Sequence, residues 1–339
     1  MSTGRVMGMA KKQLTQDCPK CGFESSARSY FCERCGHTLR SLSLYSGQWK
    51  PESISELVRI IRDRTRTDRL ISPAYVVTVL SGSIAASFLS AAVGQFTGQS
   101  AVAVYYSSLT AFVVLLILFA KVVYDAINRQ NAHFQRERKL REAISSLMKS
   151  AKGMLSQTTE VDKYVPDLTN FVTPPQNTEK TRSPLWWAFV DLAPYALTFA
   201  WLFSVVAFDA LGIRERTELF VIAILALFVA VFVFSILEIY MMMFLMTETW
   251  GHDARWEIFV ERTRTAMARL GYPSGTIRVA SHLPQRSFPL YFVLSILTGG
   301  FFVFYWWYTL IKDPNDHFRR QWEVEDQLME LVGANRGVE

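Results

Sequence analysis

Long, nearly uncharged stretches alternate along this chain with polar, basic ones. Pro73–Val93, Ala101–Tyr124, Pro184–Leu211, Leu219–Met246 and Pro289–Ile311 are dominated by Leu, Val, Ile, Phe and Ala. About 20 apolar residues cross a bilayer core as a helix, and every one of these runs reaches that length. Buried helices of a soluble protein are the competing reading, but five such runs in 339 residues argue against it. The pattern predicts an all-α multi-pass membrane protein. It has one transmembrane hairpin over 73–124, a second over 184–246, and a fifth segment over 289–311 that spans or re-enters.

Between the apolar runs the spacing changes to that of amphipathic helices. Ile54, Leu57, Val58 and Ile61 share one face of a helix within 51–70, whose second half carries Arg59, Arg62, Arg64, Arg66 and Arg69. A basic helix just ahead of an apolar run reads as a juxtamembrane segment drawn to anionic headgroups. Three further stretches carry apolar stripes at helical spacing: Leu140/Ile144/Leu147/Ala151 within 125–155, Trp256/Val260/Thr263/Met267/Leu270 within 247–271, and Phe318/Trp322/Leu328/Val332 within 312–333. Residues 1–17 read as a disordered tail, and 156–183, with Pro166, Pro174 and Pro175, as a flexible linker. Basic residues crowd 128–149, whereas Gly94–Ser100 carries no charge. The positive-inside rule therefore predicts a cell-membrane protein with its N-terminal region cytoplasmic.

Composition supports this picture: 50% hydrophobic, 19% charged, mean hydropathy +0.14 and net charge +6. A soluble domain would carry about 25% charge. All four cysteines lie before residue 36, as Cys18-Pro-Lys-Cys21 and Cys32-Glu-Arg-Cys35. Two C-x2-C knuckles complete a tetrahedral four-thiolate shell, so 18–40 reads as a zinc ribbon with one structural Zn(2+) per chain. Gly22 and Gly36 follow the second cysteine of each knuckle, where a left-handed turn lets amides face sulfur. Two disulfides or a redox pair are the alternatives, and no secretory signal supports them. His37, just past Cys35, reads as a surface residue.

The apolar runs share their surroundings. Three open alike, at Ser72-Pro73-Ala74-Tyr75, Ser183-Pro184-Leu185-Trp186 and Phe288-Pro289-Leu290-Tyr291. Each unit then exits through histidine three residues before arginine: His133/Arg136, His252/Arg255 and His317/Arg320. Three of the chain's five histidines thus recur at one point of a threefold repeat. The third unit is too short for two crossings yet ends in the same helix. An interruption at Thr298-Gly299-Gly300 is therefore expected, with Tyr305, Trp306, Trp307 and Tyr308 rising back to the headgroups.

The run Leu297-Thr298-Gly299-Gly300-Phe301-Phe302-Val303-Phe304-Tyr305-Trp306-Trp307-Tyr308, followed by Asp313-Pro314-Asn315-Asp316-His317, resembles a prokaryotic membrane family of unknown function. That family carries a T-x-G-[I/F]-[Y/F]-x-x-Y-W motif with a following D-x-N-x-H. The knuckles are similar to short zinc ribbons found ahead of such domains in archaea and bacteria. The resemblance implies a helical membrane fold and a ribbon, and it brings no activity with it.

No phosphate-binding glycine loop, nucleophile elbow or H-E-x-x-H stands in the sequence, and a non-enzymatic role is expected. His133, His252 and His317 are expected to cap or pack the starts of their helices; the alternative is a metal site about a pseudo-axis. Met241-Met242-Met243 and Met246 are expected to pack, with copper(I) as the alternative. Asp191 and Glu238 fall at equal depth on an antiparallel hairpin, as an interhelical bond or a proton relay. The expected function is a membrane-anchored zinc-ribbon adaptor or accessory subunit with protein partners. Its amphipathic helices would offer docking surface, and nucleic acid is a less favoured partner of the ribbon. The alternative is a small-solute or proton transporter using Asp191 and Glu238.

Overall fold

The computed structural model describes residues 15–26, 51–82, 101–154, 179–210, 217–269 and 282–334, with isolated positions between 29 and 39 and at 85, 92 and 277. The tail over 1–14, the Gly94–Ser100 connection, linker residues 155–178 and residues 211–216 lie outside the described residues.

The chain is mostly helical. A two-stranded antiparallel ribbon, β1 (Thr15–Asp17) and β2 (Glu24–Ser26), comes first, with Gln16 opposite Ser25. The ordered ribbon thus begins inside what composition read as tail. Then follow α1 (Pro51–Arg62), α2 (Arg64–Thr67), α3 (Pro73–Gly82), α4 (Ala101–Met154), α5 (Pro184–Ala210), α6 (Thr217–Arg269), α7 (Phe288–Leu297) and α8 (Phe302–Ala334).

The boundaries expected between apolar runs and amphipathic helices are not breaks. α4 runs 54 residues and α6 runs 53, about 80 Å each at helical rise. Neither contains proline, and Gly251, at the transition in α6, stays within the helix, so nothing in the backbone stops the helix where the side chains turn polar. The first halves and second halves of these helices belong to different cores. In one, Val76, Phe119, Val123, Trp187, Met241, Phe244, Trp306 and Trp307 pack together. In the other, Ile54, Leu57, Ile61 of α1 pack against Leu140, Ile144 and Leu147 of α4, Trp256, Phe259 and Val260 of α6, and Val324, Leu328 and Val332 of α8.

Three expectations change here. The apolar stripes of the amphipathic helices are buried against one another and against α1, so they form a bundle core instead of a docking surface. The basic helix is not a headgroup contact throughout: Arg64 is fully buried. Trp306 and Trp307 fill the apolar core at 2% and 1% exposure, leaving Tyr305 outward, because successive residues of a helix cannot all face one interface. Met241, Met242 and Met246 pack in that same core, in keeping with their expected role.

The hydrophobic segment over 289–311 is two helices. α7 ends at Leu297 and α8 begins at Phe302, with Gly299 and Gly300 at φ +60° and +92° between them. Such angles cost an L side chain about 1–2 kcal/mol, which glycine avoids. Thr298 helps hold the corner, its Oγ1 accepting from Phe302 N at 2.9 Å.

Among the described residues one helix, within α6, is long and apolar enough to cross a membrane by length and composition. Its apolar stretch exposes Val221, Ile222, Leu225, Phe228, Phe232 and Ile236.

Candidate metal centre

Among the described residues stand two clusters of metal-ligating side chains. The first is the ribbon. The chain reverses at Cys18–Phe23, where Cys18 N donates to Phe23 O at 2.9 Å and Gly22 adopts φ +66°. Cys32 N donates to His37 O at 2.8 Å, closing the second knuckle. Cys18 Sγ lies 3.6 Å from Cys35 Sγ, and Cys21 Sγ lies 3.6 Å from Cys32 Sγ. A disulfide would hold sulfurs about 2.05 Å apart. Four thiolates about 2.3 Å from one ion stand about 3.7 Å apart around a tetrahedron, so the four free cysteines are spaced for a metal. The ribbon also touches the bundle: Ser29 Oγ donates to Asp326 Oδ2 at 3.3 Å.

The second cluster is built from the repeat. His133, His252 and His317 do not cap three separate helices. Their rings form a triangle with all three centroid separations at 5.1 Å, and each residue is 1% exposed. His133 Nε2 lies 3.1 Å from His252 Nε2 and 3.2 Å from His317 Nε2. Glu137, one helical turn after His133, turns a carboxylate oxygen to the same point: Oε2 lies 3.6 Å from His133 Nε2 and in contact with His252 Nε2. Among the described residues, that buried oxygen has these two imidazole nitrogens as its polar contacts, while Arg141 holds the other.

Each ring is oriented from behind by a carboxylate that the arginine of its own His-x-x-Arg also grips. His133 Nδ1 lies 3.0 Å from Asp68 Oδ1, to which Arg136 Nε donates at 3.2 Å. His252 Nδ1 lies 3.0 Å from Glu179 Oε1, which accepts from Arg255 Nε at 3.2 Å. His317 Nδ1 lies 2.6 Å from Asp253 Oδ1, which accepts from Arg320 Nη2 at 3.1 Å. Histidine and arginine three apart share a helix face, so one acid can meet both. Sequence reasoning passed over these acids and Glu137. A signal existed: Asp68 and Glu179 each stand five residues before the opening proline of their unit. In the third unit that place is Pro284, and Asp253 of the second unit serves instead, its other oxygen accepting from Leu283 N at 3.0 Å.

The entries of the units are fixed in the same rotational sense. Asn131 Nδ2 donates to Arg182 O at 2.7 Å and Asn131 Oδ1 accepts from Arg182 N at 3.1 Å. Asn315 makes the equivalent pair with Ile71, at 2.6 and 3.3 Å. Each asparagine stands two residues before its histidine, and each partner two residues before an opening proline. Glu179–Ser183, expected as linker, is therefore pinned to the bundle.

Charge at the site follows from burial and neighbours. Burial pushes His133 down to about 4, against the pull of Asp68. Burial opposes charge on Glu179 too, but His252 and Arg141 hold its carboxyl at about 2. For Glu137 the penalty of burial is outweighed by Arg141 and His252, which keep it ionised well below the usual carboxylate range.

The predicted acidic pair sits elsewhere. Asp191 is 1% exposed, its Oδ1 has no hydrogen-bond partner, and it lies within Coulombic reach of Glu238, with Tyr195 beside both.

Compared with protein families, curated proteins and solved structures, the chain matches none.

Proposed function

We propose that the protein is a non-catalytic, multi-pass membrane anchor that presents a cytoplasmic zinc ribbon to a protein partner, as an adaptor or accessory subunit. The observation that carries this reading is the division of two continuous helices. α4 exposes Val113, Val114 and Ile117 in its first half and supplies Arg129, His133, Arg136 and Glu137, all buried, in its second. α6 makes the same change between Phe232 and His252. Apolar side chains facing outward on one half suit lipid, and a closed bundle with buried ion pairs on the other suits water. The bundle spends its apolar stripes on its own core, which leaves the ribbon, bridged to α8 through Ser29, as the module offered to a partner. Zinc is the ion that four thiolates select best.

Purification of the full chain from native membranes tests this reading. A protein co-purifying in stoichiometric amount, and lost from the Cys21→Ser/Cys32→Ser variant, is the expected result. A chain that co-purifies with nothing in both forms removes the adaptor reading. Asp191 favours a second reading, proton or small-solute transport, because a buried carboxylate oxygen without a donor beside a second acid is costly unless it serves a purpose. Flux in reconstituted vesicles that disappears in Asp191→Asn would support that alternative.

A further inference from the structure

We propose that His133, His252, His317 and Glu137 bind one divalent first-row transition ion, zinc by preference, which joins the three repeat units. This goes beyond the adaptor reading and holds whatever the bundle's role.

Proton accounting carries the argument. Each Nδ1 faces a carboxylate oxygen at 2.6–3.0 Å, so the ring proton belongs there and Nε2 presents a lone pair. Three such lone pairs converge, with separations of 3.1 and 3.2 Å at His133. A single shared proton bridges two nitrogens and leaves the third facing a lone pair, and protons on all three collide. A cation satisfies all three together. Imidazole nitrogens about 2.0–2.1 Å from a zinc ion in tetrahedral geometry stand about 3.3 Å apart, close to the spacing found.

The fourth ligand follows from the way the repeat is broken. Three nitrogens arranged about an axis leave one position to fill. The residues four after each histidine are Glu137, Trp256 and Gln321, so only the first unit puts an acid there. Its Oε2 is the oxygen turned toward the Nε2 atoms of His133 and His252. Three neutral imidazoles and one carboxylate form a borderline N3O set suited to Zn(2+). With four protein ligands and every ligand 1% exposed or less, no position stays open for substrate, and the ion is structural. One histidine comes from each unit, so the ion ties together segments 119 and 184 residues apart in sequence.

Elemental analysis of the full chain in detergent, purified without added metal, tests this. Two zinc ions per chain are expected, one falling away in Cys21→Ser/Cys32→Ser and the other in His252→Ala/His317→Ala. X-ray absorption on the cysteine variant should show nitrogen and oxygen scatterers with imidazole outer shells. A folded cysteine variant without metal, or an unaltered chain whose zinc shows sulfur scatterers alone, overturns the proposal. Asp68→Asn keeps all four ligands and should weaken zinc binding about 10–100-fold, read by competition with a chromophoric chelator. Unchanged affinity there also counts against it.

Discussion

Asp68 Oδ1 lies 3.0 Å from His133 Nδ1, although the residues are 65 apart in the chain. The contact ties the segment entering the first apolar run to the helix leaving it. Arg136 Nη2 donates to Asp68 Oδ2 at 2.6 Å, and Trp322 Nε1 donates to the same oxygen at 2.8 Å. One carboxylate thus orients a histidine, neutralises an arginine and receives α8. Its full set of donors explains how a completely buried aspartate stays charged: Arg136 and His133 outweigh the penalty of burial and hold it well below the usual range.

Arg64 should be the costliest single truncation in this polar core. It is fully buried, Nη1 lies 3.0 Å from Asp326 Oδ1, and Nη1 also donates to Trp322 O at 3.3 Å. Arg64→Ala leaves Asp326 without its main counter-ion, a loss of about 3–5 kcal/mol. Chemical denaturation in detergent checks this, and Arg64→Met/Asp326→Leu should recover part of the loss.

Around Arg64 and Arg136 stand three buried carboxylates, Asp68, Glu325 and Asp326. Two cations cannot neutralise three anions, and Glu325 takes the proton: burial, with Asp68 nearby, pushes it up to about 7 against Arg136 and Arg64. Its folded value lies above the unfolded one, so the folded chain holds a proton that the unfolded chain releases near 4.5. Stability from this group is fully present below that pH and is lost as pH rises through 7. The span is worth up to about 3 kcal/mol. Glu325→Gln should flatten the fall in thermal midpoint between pH 5 and 8; a variant curve parallel to the parent's would refute the assignment.

Gly299 and Gly300 have open space where a Cβ would go, so only backbone strain opposes a side chain there. Gly299→Ala and Gly300→Ala should each cost about 1–2 kcal/mol. The effect should appear in global unfolding, with the metal content of the purified chain unchanged.

Cys21→Ser leaves the ribbon shell one thiolate short, and so small a module folds on its metal. Amide exchange should lose protection over residues 15–39, including the Cys18 N–H bonded to Phe23 O, while α4, α6 and α8 keep theirs. Protection that survives in the ribbon would show that its fold does not depend on the cysteines.

Local chemistry and periodicity made much of this protein legible in its sequence. The two cysteine knuckles, the apolar runs, the break at Gly299-Gly300 and the recurrence of His133, His252 and His317 all rest on spacing within one segment. Such spacing says which face of a helix a residue occupies and nothing about which other helix meets that face. The convergence of the histidines needed the mutual rotation of α4, α6 and α8, which is set by packing among Leu140, Phe259, Val324 and their neighbours. The acids behind the rings belong to segments up to 76 residues from the arginines they bind, and one of them, Asp253, departs from the repeat altogether. The amphipathic stripes posed the same ambiguity: a stripe that could dock a partner is identical in sequence to one that docks its own repeats. Only the tertiary structure decided between them, because burial is a property of facing surfaces and not of a single helix.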